Sequence, residues 1–183
     1  MVLFFWSISV GLYLFVAPSR AMAAKMQTSE SSISHLEHAA VDFEWAAMAQ
    51  KDVAQNMFDE AEKLRDAPYT KEAEYLKNMR VAADKESKSG DYEVAAGASY
   101  DHAADLWAKI ALKRKKSSEV SQDDNSSCMS KVAREKATVS YLRAAEIYEL
   151  AAHAYFTAKL PLKQAVLSQK AGRMREKLAQ CVM

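Results

Sequence analysis

Four histidines are available for chemistry: His35, His38, His102 and His153. His35 and His38 share a helix face with Asp42, a spacing that can hold a metal ion through imidazole and carboxylate ligands. The same spacing also describes a solvated or partner-facing helix surface, and on that reading no metal and no cofactor is expected. The carboxylate pairs Glu72/Glu74 and Asp123/Asp124 fall on stretches expected to be exposed, where solvation is their role. The chain has no H-E-x-x-H, no G-x-S-x-G, no glycine-rich phosphate loop and no Cys/His pairing. No catalytic residue is assigned and a non-enzymatic protein is expected. The competing class is a small metalloenzyme using His35 and His38, which requires bound metal.

Cys128 and Cys181 are the two cysteines. Beside an export signal, an even count predicts one disulfide between them. The helix carrying Cys181 is too short to return to Cys128 by a gap on the order of 16 Å, so the loop holding Cys128 has to fold down to close the bridge. Asn125-Ser126-Ser127 is an N-glycosylation sequon within a polar stretch. Lys113-Arg114-Lys115-Lys116, the densest basic cluster, falls in the last turn of a helix, where cations meet the carbonyl end of the dipole. Its alternative use is a patch for anionic lipid or an acidic protein. Tyr100, Trp107, Tyr141, Tyr148 and Tyr155 read as core. Their hydroxyls need a polar outlet, so the row is also the candidate interaction surface if it lines a groove edge.

The elements that position these residues are long helices. Half of the 183 residues are hydrophobic, and only four glycines and three prolines punctuate the chain. Sheet proteins of this size need many more turns. A largely apolar run over residues 2–17 is followed by Ala21-Met22-Ala23, the pattern of a signal peptide over 1–23. An uncleaved membrane anchor is the alternative. Cleavage after Ala23 removes Arg20 and leaves 24 basic and 24 acidic side chains. That balance argues against a nucleic-acid partner. Residues 29–66 are mainly acidic and 131–183 mainly basic, so the two segments are expected to pack side by side.

Residues 24–32 read as a disordered lead-in to one all-helical domain over 33–183, with a mobile loop at 117–129. Five helices are expected. In the first, Ile33, Leu36, Ala40, Phe43, Ala47, Gln50, Ala54, Met57, Ala61 and Leu64 form a coiled-coil-like heptad seam. That seam over 33–64 pairs within the chain or makes a homo-oligomer. Ala67-Pro68 ends the helix. A second helix runs over 70–88 and is stopped by Ser89-Gly90, and a third continues to 116. The fourth covers 130–159, and Leu160-Pro161 turns into the fifth.

Residues 100–111 are echoed 41 positions later: Tyr100 by Tyr141, Ala103-Ala104 by Ala144-Ala145, Trp107 by Tyr148, Ala111 by Ala152. Met79, Ala82 and Ala83, then Lys88-Ser89-Gly90-Asp91-Tyr92 with Ala95 and Ala96, resemble the helix–turn–helix of a tetratricopeptide repeat. Tyr141, Ala144-Ala145 and Tyr148 are similar to the longer hairpins of the SNAP adaptor proteins. The resemblance implies a helical hairpin scaffold that binds other proteins, and it transfers no catalytic residue. A secreted, periplasmic or luminal protein-binding protein is therefore expected, its partner being a protein. The alternative is a structural or surface-exposed helical bundle, tethered to a membrane if residues 2–17 stay attached.

Overall fold

The computed structural model describes residues 33–116 and 125–182. They form four packed α-helices and, among the described residues, no strand: α1 (Ile33–Arg65), α2 (Glu72–Lys116), α3 (Ser126–Thr157) and α4 (Pro161–Val182). The fold is all-α, and the described residues form four helices where five are expected. The expected signal peptide (1–23) and lead-in (24–32) lie outside the described residues, as does 117–124 of the expected loop. Residues 126–129 of that loop are already helical.

The helix count differs at Ser89-Gly90. Glycine inside a helix costs roughly 1 kcal/mol relative to alanine, which is why a stop is expected there. Instead α2 passes through Gly90 without a positive φ. A Cβ on Gly90 would lie 2.6 Å from Cε1 and 2.8 Å from Cδ1 of Tyr148. Glycine is needed because the Tyr148 ring of α3 packs directly on the α2 backbone, not because the helix ends. The same turn is tied to α1, since Ser89 Oγ donates to the Ala54 carbonyl at 2.7 Å. The turn on which the tetratricopeptide resemblance depends is thus helix interior, and the helical-repeat reading falls with it.

The coiled-coil expectation for α1 is also corrected. Leu36, Ala40, Phe43, Ala47, Ala54 and Ala61 are buried, but so are Ala39, Ala46 and Phe58. Burial beyond the two heptad rows is the wide face of a helix packed by several neighbours, not a two-row seam. Gln50, its polar member, accepts a hydrogen bond from Ser99 Oγ at 3.2 Å.

The described residues divide into two compact units. One contains α1 up to Gln50, α2 from Ala96 and α3 up to Ala137; the other contains Lys51–Ala95 and everything from Thr138 onward. The first unit is centred on Leu36, Phe43, Leu106, Trp107 and Ile110. There Ser130 Oγ donates to the Ala104 carbonyl at 2.9 Å, so small side chains bring α3 close to α2. The second is centred on Met79, Ala83, Tyr148, Tyr155, Leu167 and Ala171. α4 belongs wholly to this second unit.

The link from α3 to α4 is a Schellman-type stop. Leu160 N–H bonds the Tyr155 carbonyl at 2.9 Å and Lys159 N–H that of Phe156 at 3.0 Å. Lys159 takes the left-handed conformation, φ 59°, and Pro161 begins α4, a position where its missing N–H costs nothing.

Candidate functional site

Tyr155, Tyr148 and Tyr141 stand seven apart on α3, and Lys163, Lys170 and Lys177 stand seven apart on α4. Because the two helices run antiparallel, the rows meet rung by rung. The ammonium groups of Lys163, Lys170 and Lys177 lie 4.9, 5.1 and 3.7 Å from the ring centroids of Tyr155, Tyr148 and Tyr141. Each such contact is worth about 0.5–2 kcal/mol, depending on desolvation. α2 completes two rungs with Asp84 and Asp91, again seven apart. Tyr148 hydroxyl donates to Asp91 Oδ1 at 2.6 Å and Lys170 Nζ to the same oxygen at 2.7 Å. Tyr155 hydroxyl and Lys163 donate likewise to Asp84. In the third rung Lys177 donates to the Tyr141 hydroxyl.

These contacts set the charge states. Burial pushes the Tyr148 and Tyr155 hydroxyls well above the ordinary phenol range, and the facing aspartates push them further. Burial also works to raise Asp84, but the Tyr155 hydroxyl and Lys163 outweigh it, and its pKa ends lower than usual. Tyr148 and Tyr155 therefore stay neutral and donate to the aspartates, and these two rungs fasten α2, α3 and α4 together.

The aromatic row expected as a candidate interaction surface is core. Tyr100, Trp107, Tyr141, Tyr148 and Tyr155 are all buried. Each ring is inside, and its polar atom or its face meets a charged neighbour. In the first unit Trp107 Nε1 donates to Glu44 Oε1 at 2.9 Å, and Lys136 lies over the Tyr100 ring at 5.5 Å.

The expected disulfide is overturned: Cys128 is an exposed free thiol. Cys128 lies in the first turn of α3, fixed in helix rather than in a loop able to fold down. Asn125 of the sequon is exposed, in the turn that opens α3.

Among the described residues no group of three or more His, Cys, Asp or Glu side chains is placed to hold a metal ion. His35 and His38 are exposed, and the His38 ring pairs with its own helix at the Ser34 carbonyl, 2.7 Å away. His102 packs on Phe43, ring centroids 5.2 Å apart. Arg114 of the basic cluster bonds Glu37 and, at 2.8 Å, Ser126 Oγ. No described helix is long and apolar enough to cross a membrane.

Two buried glutamates escaped the sequence reading. Glu86 has one oxygen on Arg65 at 2.9 Å and the other without a partner. Burial pushes its pKa up to about 7 despite Arg65. Glu93, also buried with one oxygen unpartnered, is raised by burial against the pull of Lys51 and Arg143. The lysine and aspartate rows had a signal, the seven-residue spacing of 163/170/177 and 84/91. The glutamates had only their register on a helix whose continuity was not foreseen.

Comparison with protein-family models, with curated proteins and with solved structures returned no match.

Proposed function

We propose that this chain is a non-enzymatic helical module, exported to a lumen or the cell exterior, that binds another protein through its outward helix faces. The observation that carries the reading is on α1. Val41, Trp45 and Met48 recur at four and three residues and all face outward, Trp45 being 58% exposed. The opposite face of α1 is occupied by the chain's own core, and this stripe is the surface we assign to an external contact. Exposed tryptophan is costly to keep in water and is enriched where partners dock. The export part rests on the sequence of residues 1–23.

The test is sedimentation of the natively expressed chain. It is expected to travel in a complex heavier than its own 20.4 kDa. The double variant Trp45→Asp, Met48→Asp is expected to release it as a folded monomer. A monomeric native chain, or a complex indifferent to that variant, would contradict the reading.

A further inference from the structure

In the second unit α4 is seated against α2 and α3. Its lysines meet Asp84 and Asp91, and its Leu167 and Ala171 join the core beside Ala83 and Ala144. The first unit has segments of α1, α2 and α3 but no part of α4. In that unit α2 and α3 border an open groove of about 720 Å³, lined by Ala108, Ala111, Leu112 and Lys115 from α2 and Ser130 and Lys131 from α3. On α2, Leu112 stands seven residues beyond Asp105, and both are exposed on one face of the helix. The groove thus has the features of a helix seat: a floor of small side chains over which a backbone can approach closely, and a large apolar side chain, Leu112, that is 61% exposed.

Its charge differs from that of the seat α4 occupies. Where the second unit offers aspartates to the lysines of α4, this groove offers exposed Lys115 on one side and exposed Lys131 on the other. Neither forms an ion pair among the described residues. The nearest acid on this face of α2, Asp105, is engaged by Arg134 at 2.8 Å.

We infer that this groove is the docking site for an acidic amphipathic helix of a partner protein, which takes in the first unit the place α4 takes in the second. Small apolar residues of that helix face Ala108, Ala111 and Ser130, and carboxylates on its flanks reach Lys115 and Lys131. A second copy of α4 does not fit this chemistry, because its flanks carry Lys163, Lys170, Arg173, Arg175 and Lys177. The inference rests on the protein-binding reading above and adds to it the site and the charge of the partner.

The experiment uses the full chain and two labelled synthetic helical peptides, each three heptads long with the same leucine–alanine face. One carries glutamate on its flanks and the other lysine. By fluorescence anisotropy at low salt, the chain is expected to bind the glutamate peptide about tenfold more tightly than the lysine peptide. The variant Lys115→Glu, Lys131→Glu changes only exposed side chains, and it is expected to reverse the preference. Equal affinity for both peptides, or a preference unchanged in the variant, overturns the inference. Self-association of the chain that the double variant abolishes also overturns it, since a second copy is then the occupant. If the preference is absent while the native complex still dissociates on Trp45→Asp, Met48→Asp, the groove assignment alone fails. If the native chain is a monomer, the failure lies with the protein-binding reading.

Discussion

A methyl group added at Gly90 and one added at Gly172 should have opposite effects, although both glycines sit inside helices. At Gly172 nothing lies within 4 Å of the new Cβ, so Gly172→Ala is expected to stabilise the protein by up to about 1 kcal/mol through helix propensity. At Gly90 the same gain meets the Tyr148 ring, which is buried and held by Asp91 and Lys170. Overpacking of that kind costs about 1–3 kcal/mol, and Gly90→Ala is expected to destabilise. Urea unfolding of the two variants measures both signs. Glu86 makes the pH behaviour specific. Its folded pKa, about 7, is raised above the ordinary 4.5. Its contribution to stability is therefore fully present below about pH 4.5 and declines as pH rises to about 7, by at most roughly 3 kcal/mol. Glu93 acts in the same direction, while Asp84 and Glu60, both lowered, cost stability only in more acid solution. Glu86→Gln is expected to flatten the decline between pH 5 and 7, as read from thermal midpoints. At this scale the tyrosine row and its need for polar outlets were legible, because seven-residue spacing shows in one helix at a time. The lysines and aspartates that answer it were not, because pairing them requires knowing which helices run antiparallel.

Helix ends were readable where the backbone itself decides them. Pro68 follows the end of α1, and Leu160-Pro161 marks the start of α4, since proline limits the residue before it and cannot donate. Gly90 misled for a physical reason. Glycine permits both a left-handed stop and a close approach by another helix, and only the Tyr148 ring distinguishes them. The stop that does use the left-handed conformation falls on Lys159, a residue type that gives no such signal. Glycine adopts that φ without the Cβ strain of about 1–2 kcal/mol. Lys159→Gly is expected to raise stability by about 1 kcal/mol, offset in part by greater unfolded-chain entropy; a lowered midpoint in urea would contradict the Schellman reading of this turn. The lost ion pair with Glu72 is exposed and weighs little.

The acidic N-terminal and basic C-terminal segments meet mostly through α2, not directly. Glu37 and Glu60 of α1 pair with Arg114 and Lys85 of α2, while Asp84, Asp91 and Asp105 of α2 pair with Lys163, Lys170 and Arg134. Lys136–Glu44, at 3.6 Å, joins α3 to α1. The all-helical class followed from composition, but the division into two units did not, because it cuts α1, α2 and α3 inside their helices, after Gln50, Ala95 and Ala137, where no turn residue marks it. The Trp45 stripe and the lysine-flanked groove with its exposed Leu112 are the two outward features on which the docking proposals rest. The most direct measurement places a photo-crosslinking amino acid, one at a time, at Trp45, Leu112 and Gly172 in the natively expressed chain. The account predicts a hetero-adduct of one mass from Trp45, Leu112 or both, and none from Gly172 on the outer side of α4. No adduct at Trp45 and Leu112, or equal labelling at all three positions, would contradict a dedicated protein-docking role.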